Sequence, residues 1–262
     1  MDIFPLEGDE VPEGYKGWLI LLDEFLHASV PVMRAAYKLI LDRAIGDHNL
    51  HEKVAIACAS NLQSDNAHTE EMGTAMQTRL IHLFMNVNPE GWLNWARSNG
   101  IDSRIQSFIT WRNDLLDTFD SNAEVVTYAV GRTWEFLSNI IDGMDNINHA
   151  NIELISGAIG EGTAREFLTY LAIYDKLISV KDILADPKNA KVPEEPGHRY
   201  AMTGMLAEEI DKNNAKDILI YLDRMPLEFR LVTMKMAIGK DTDLMDVKPV
   251  SKWLDVNAEE FF

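Results

Sequence analysis

Two adjacent carboxylates follow a short apolar run near the start of the chain, and they are its clearest chemical signal. Leu19-Ile20-Leu21-Leu22 leads directly into Asp23-Glu24. A carboxylate can hold Mg²⁺ beside phosphate oxygens, and a second one can orient an attacking water in phosphoryl transfer. The pattern therefore favours metal-assisted phosphoryl chemistry. The structural alternative is a buried strand that ends in an acidic turn, because short patterns of this kind recur by chance.

Two more polar residues stand where they could serve the same chemistry. Asn61 closes the next apolar run, and on a neighbouring parallel strand it would lie beside the acidic pair. Arg79 ends a predicted helix just before a third apolar run. From that position an arginine could reach the γ-phosphate bound by a neighbouring subunit. Taken singly, each has a favoured structural reading. Asn61 is then a turn residue, and Arg79 is a cation at a helix C-terminus.

The elements that must position these residues predict an α/β fold followed by helices. Three continuous apolar runs, at residues 18–22, 54–59 and 80–85, are typical of parallel strands buried on both faces. An amphipathic helix at 31–44 would connect the first two strands. It would bring their carboxyl ends to one sheet edge, where open α/β folds bind ligands.

After Asn88-Pro89 the periodicity is helical, and we predict two further helical regions. The domains expected are an α/β core at 1–88, a helical domain at 89–185 and a helical C-terminal extension at 186–262. Ser121-x-x-Glu124 predicts a capping box that opens a helix carrying Val125 and Trp134. Gly157 and Gly162 have the glycine spacing of a phosphate-binding loop but lack its lysine, which favours a helix–helix turn. Gly239-Lys240-Asp241 is typical of a helix end.

Composition excludes several classes of function. With 42 acidic and 24 basic residues, the formal net charge of −18 repels nucleic acid and anionic lipid. The single cysteine, Cys58, excludes an internal disulfide and a thiolate metal cluster. The N-terminal residues do not resemble a signal peptide, and no apolar run reaches the roughly 20 residues of a membrane helix. We expect a cytoplasmic protein without direct nucleic-acid or membrane binding.

An ordered set of motifs resembles the MoxR-like branch of the AAA+ ATPases. The resemblance runs from about residue 14 to residue 229. It is carried by the following stretches: Gly17-Trp18-Leu19-Ile20-Leu21-Leu22-Asp23-Glu24, Ala59-Ser60-Asn61, Ala75-x-x-Thr78-Arg79, Gly131-Arg132-Thr133-Trp134-Glu135, and Gly157 to Phe167 in the lid. The resemblance implies a partial AAA+ core with a parallel sheet, then a helical lid and a helical extension.

The resemblance also implies a role for each site residue. Asp23 and Glu24 correspond to the Walker B pair, with Asp23 binding Mg²⁺ and Glu24 polarising the hydrolytic water. Asn61 corresponds to sensor 1. Arg79 would act in trans as the arginine finger and Arg132 in cis as sensor 2, with ATP and Mg²⁺ as cofactors. The chain departs from the family's pattern in two places. The first is local: Val130-Gly131 precedes Arg132, where the family has proline before the arginine.

The other departure is the absence of the phosphate-binding loop G-x-x-x-x-G-K-[ST] upstream of Asp23. We expect another polypeptide to supply that loop, so that this chain is the C-terminal part of a split ATPase in a homo- or hetero-oligomeric ring. The resemblance implies remodelling of a partner protein, such as one with a von Willebrand factor A-type domain. The alternative is a non-catalytic AAA+ interaction module that contributes only Arg79 to a neighbouring subunit.

Overall fold

A computed structural model describes residues 4–61, 72–144, 146–174 and 176–261 of the chain. The chain divides into two units, one formed by residues 1–85 with 120–122 and the other by residues 86–119 with 123–262. The first is a small α/β unit, and the described part of the second is helical. None of the helices in the described ranges has the length and apolarity needed to cross a membrane.

The α/β unit is built around one pair of parallel strands. Its elements are β1 (Trp18–Leu22), α1 (Val30–Leu41), β2 (Ala44–Ile45), β3 (His48–Asn49), β4 (Val54–Cys58) and α2 (Thr74–Gln77). β1 and β4 pair in parallel, in a register that places Leu22 beside Cys58, while β2 and β3 form a separate antiparallel hairpin. The predicted strand–helix–strand unit is therefore confirmed for the first two apolar runs.

Among the residues of this unit that the structure describes, only one face of the strand pair is covered. Trp18, Ile20 and Leu22 of β1 pack with Leu39 of α1 and with Val54. Side chains alternate between the two faces of a strand, so Leu19 and Leu21 point the other way. They are 67% and 60% exposed, and the prediction of strands buried on both faces is wrong for the described residues.

The third predicted strand, at residues 80–85, is also wrong. Those residues adopt no regular structure, and four of their apolar side chains are among the most exposed of the chain: Ile81, Leu83, Phe84 and Met85. An apolar run becomes a strand only where a neighbouring strand accepts its backbone hydrogen bonds. In the described part of the chain, the parallel sheet has only β1 and β4.

The second unit contains eleven α-helices within the described ranges. They are α3 (Pro89–Ser98), α4 (Ser103–Trp111), α5 (Gly131–Ile141), α6 (Ile152–Ile159), α7 (Glu161–Tyr174), α8 (Val180–Ala185), α9 (Pro196–Glu209), α10 (Ala215–Leu222), α11 (Leu227–Lys240), α12 (Lys248–Val256) and α13 (Ala258–Phe261). Their apolar faces form two clusters. One surrounds Phe108, Trp134 and Phe167, and the other surrounds Tyr221 and Met234.

The capping box predicted at Ser121 is wrong, because α5 begins ten residues later, at Gly131. The β-branched run before α5 has a low helix propensity, and Val126 is fully exposed. Thr118 instead holds this segment by accepting a hydrogen bond from the Ala129 N–H at 3.0 Å. The observed cap is Thr133, whose Oγ1 accepts the Val130 N–H at 2.9 Å.

Two stretches that share part of the phosphate-binding loop pattern, Gly157–Gly162 and Gly239-Lys240, lie at helix boundaries, as predicted. α6 ends at Ile159, Gly160 adopts a φ of 79°, and α7 begins at Glu161. A side chain at Gly160 would meet the Thr127 carbonyl oxygen at 2.9 Å, so both backbone conformation and space require glycine. The second stretch lies at the end of α11, which terminates at Lys240.

Candidate functional site

The carboxyl ends of β1 and β4 lie side by side and are tied together beyond the strands themselves. The Ala59 N–H donates to the Leu22 carbonyl at 2.9 Å, and the Phe25 N–H donates to the Ala59 carbonyl at 2.9 Å. These two hydrogen bonds extend the parallel pairing past the last strand residues. The loops that carry the acidic pair and Asn61 therefore leave the same edge of the sheet.

The acidic turn has a fixed and unusual backbone conformation. Asp23 accepts the Glu24 N–H through Oδ1 at 3.0 Å. Glu24 has φ 52° and ψ 37°, in the left-handed region that residues other than glycine rarely adopt. Phe25, only 5% exposed, starts a short 3-10 helix and anchors the turn. Both carboxylates are exposed at the tip of the strand, where a ligand can reach them.

The loop after β4 supplies a second anchor. Ser60 Oγ accepts the Leu26 N–H at 3.2 Å, which joins this loop to the 3-10 helix that follows the acidic pair. Asn61 comes next and is exposed. The structure thus brings Asp23, Glu24 and Asn61 to one edge. The sequence analysis predicted no role for Phe25 or Ser60. The one signal for an anchoring role was the position of Phe25, an apolar residue directly after two acidic ones.

The donor set at this edge suits Mg²⁺ that is shared with a phosphate ligand. Mg²⁺ prefers oxygen ligands, and it is commonly held by one or two carboxylates together with substrate phosphates. Asp23 provides such a carboxylate, and Glu24 stands next to it. Burial raises the pKa of the nearby Cys58 thiol, so without a bound metal this side chain is protonated at neutral pH.

The two arginines proposed from the sequence lie elsewhere. Arg79 follows α2, is exposed, and donates through Nη1 to the Ala75 carbonyl at 2.6 Å. This is the contact of a cation at a helix end, the ordinary structural reading of Arg79. Arg132 belongs to the helical unit, where it is the second residue of α5 and is exposed. In the described ranges no hydrogen bond or ion pair joins Arg79 to the strand-edge carboxylates, and Arg132 belongs to the other unit.

Comparison with known proteins gives no match of any of the three kinds sought. Neither a protein family, nor a curated protein, nor a solved structure is similar to this chain. The class of protein that the structure defines is an α/β unit with a small parallel sheet, followed by a helical unit.

Proposed function

We propose that this chain is the Walker B-to-lid part of a MoxR-like AAA+ ATPase that uses ATP and Mg²⁺. Asp23 would hold the metal ion, Glu24 would polarise the hydrolytic water, and Asn61 would hold the same water. A separate polypeptide would contribute the phosphate-binding loop. Hydrolysis would drive the remodelling of a partner protein, for which a von Willebrand factor A-type domain is the candidate that the resemblance suggests.

One observation carries this proposal: the parallel, in-register pairing of β1 and β4. Leu22 and Cys58 are register partners, so the residues after each strand emerge at the same edge. Catalysis of phosphoryl transfer depends mainly on positioning and charge stabilisation, and it needs a metal-binding carboxylate beside a water-orienting group. The edge formed by the acidic pair and Asn61 supports such an arrangement.

The exposed apolar surface of the α/β unit supports the need for a second polypeptide. Parallel sheets occur almost only with both faces covered, yet Leu19 and Leu21 are exposed on the uncovered face. The run from Ile81 to Met85 is more exposed still. The strand that leads into a phosphate-binding loop and the helix that follows the loop would cover such surfaces with apolar side chains.

The proposed roles of Arg79 and Arg132 concern an assembled ring. Arg79 is exposed, and its bond to the Ala75 carbonyl is a surface contact that an approaching phosphate could replace. Arg132 stands in the first turn of α5, where a lid arginine of this family would be expected. A trans-acting arginine typically raises the rate of phosphoryl transfer by about 10³–10⁵.

The test is to co-express this chain with the product of the adjacent upstream reading frame and to measure ATP hydrolysis by the purified complex. We expect Mg²⁺-dependent hydrolysis that Glu24→Gln lowers by about 100-fold or more, since general-base catalysis typically contributes 10²–10⁴. Glu52→Gln is the matched control, because Glu52 is also an exposed acid of the same unit. It should leave the rate unchanged.

Two other outcomes would contradict the proposal. If the upstream frame encodes no phosphate-binding loop and the mixture does not hydrolyse ATP, the split-ATPase assignment fails. If Glu24→Gln preserves the activity of the assembly while Arg79→Ala abolishes it, the chain is a non-catalytic module that completes a neighbour's site.

A further inference from the structure

The acidic turn after β1 is held in part by the loop that follows β4. A 3-10 helix of three residues comes directly after the two carboxylates, and the first N–H groups of any helix have no acceptor within it. The Phe25 N–H donates to the Ala59 carbonyl at 2.9 Å. The Leu26 N–H donates to Ser60 Oγ at 3.2 Å. Two consecutive amides of the turn are therefore fixed by the loop that continues into Asn61.

These two hydrogen bonds differ in what a substitution can remove. The acceptor at Ala59 is a backbone carbonyl, which every residue carries. The acceptor at Ser60 is a hydroxyl, and alanine at this position would leave the Leu26 N–H without it. Ser60 is exposed, so its replacement by alanine creates no cavity. The contribution of this one hydrogen bond can therefore be measured separately from packing.

The conformation of Glu24 depends on this anchoring. Its φ of 52° and ψ of 37° lie in the left-handed region, which a residue other than glycine keeps only where the surrounding structure fixes it. On the N-terminal side, Asp23 Oδ1 accepts the Glu24 N–H at 3.0 Å. On the C-terminal side, the His27 N–H of the anchored 3-10 helix donates to the Glu24 carbonyl at 2.8 Å. Loss of the Ser60 acceptor would loosen this helix, and the Glu24 backbone would then sample other conformations.

We propose that Ser60 is a positioning residue that holds the Glu24 carboxylate where it polarises the hydrolytic water, an inference that rests on the proposed function. Its effect passes through the backbone of Leu26 and the 3-10 helix. Because Ser60 directly precedes Asn61, the same hydrogen bond fixes the acidic turn relative to the second group that contacts this water. Phosphoryl transfer depends on such positioning, and a small misplacement of one group lowers the rate.

Steady-state ATP hydrolysis by the co-expressed complex tests this role. Ser60→Ala should lower kcat by about 3- to 10-fold, as expected for one lost hydrogen bond, and should leave the KM for MgATP unchanged. Ser60→Thr retains the hydroxyl and should restore kcat. Ser29→Ala is the matched control, because Ser29 is an exposed serine of the same unit whose side chain makes no capping hydrogen bond. It should leave both constants unchanged.

Two further measurements separate positioning from a general loss of stability. In the Glu24→Gln background, Ser60→Ala should have no further effect on kcat, because there is no carboxylate left to position, whereas independent effects would multiply. Backbone amide hydrogen exchange of the whole chain needs no hydrolysis. Ser60→Ala should speed exchange of the Leu26 N–H by about 3- to 10-fold and leave the amides within α1 unchanged.

The outcomes distinguish this proposal from the function on which it rests. If the wild-type complex does not hydrolyse ATP, the proposed function fails and the role of Ser60 fails with it. If the wild-type complex is active, the positioning role alone is overturned by any one of four results. These are a wild-type kcat in Ser60→Ala, a changed KM that accounts for the whole loss, an equal loss of kcat in the Glu24→Gln background, and unchanged exchange of the Leu26 N–H.

Discussion

Gly239 allows α11 to approach α3 closely, and its replacement by alanine gives a sharp test of the packing between these two helices. A Cβ atom built at this position would lie 2.5 Å from Cβ of Arg97. Real Cβ contacts are essentially never shorter than 3.0 Å, and Cβ of Arg97 is fixed to its backbone, so the helices must move apart. Overpacking of this kind typically costs about 1–3 kcal/mol.

The opposing term is helix propensity, which favours alanine over glycine by at most about 1 kcal/mol and by less near a helix end. We therefore expect Gly239→Ala to lower the free energy of unfolding by about 1 kcal/mol or more, measured by urea unfolding monitored by far-UV circular dichroism.

Gly157→Ala is the matched control. Gly157 lies inside α6, and nothing lies within 4 Å of a Cβ built there. This variant should raise the free energy of unfolding by about 0.5–1 kcal/mol. If Gly239→Ala is as stable as Gly157→Ala, the close contact between α3 and α11 is refuted.

Three further predictions concern the helical unit. Gly160→Ala should lower the thermal unfolding midpoint, because glycine has φ 79° there and an added Cβ would lie 2.9 Å from the Thr127 carbonyl oxygen. Asn88→Ala should cost about 1 kcal/mol in urea unfolding, because the Asn88 side chain accepts the Gly91 N–H at the start of α3. Burial raises the pKa of Tyr221 to about 12, and the nearby Arg224 partly offsets this rise. In an ultraviolet titration, one tyrosine should therefore ionise at a higher pH than exposed tyrosines do. Since the unfolded value is near 10, stability should fall as pH rises from 10 to 12 and be unaffected by this group below pH 10.

The parts of the fold predicted from sequence are those set by local pattern. The apolar stripe of α1, the first two strands and the helical C-terminal extension all have periodicities that packing within their own unit satisfies. The helix boundary at Gly160 was also predictable, since glycine spacing without a lysine indicates a turn. The edge shared by Asp23 and Asn61 follows from strand order alone, because the carboxyl ends of adjacent parallel strands coincide.

The parts of the fold that the sequence did not predict depend on which other segments of the chain are present to pair with them. Residues 80–85 have the composition of a strand, but strand formation requires a neighbour that the described α/β unit does not offer. The capping pattern at Ser121 satisfied a local rule, yet the hydrogen bonds of Thr118 and Thr133 fixed a later helix start. The close contact between α3 and α11 joins residues more than a hundred positions apart, Arg97 and Gly239, and no single stretch of sequence predicts it.

At Glu24, the residue type that would best stabilise the left-handed backbone differs from the residue type that the proposed chemistry requires. An L-residue in this conformation costs about 1–2 kcal/mol, a penalty that glycine avoids. A library of Glu24 variants sorted only by resistance to proteolysis should therefore enrich glycine and asparagine above the native residue. If the carboxylate is dispensable, such chains are simply improved. If it orients water, as proposed, the variants most resistant to proteolysis will be the ones that have lost ATP hydrolysis.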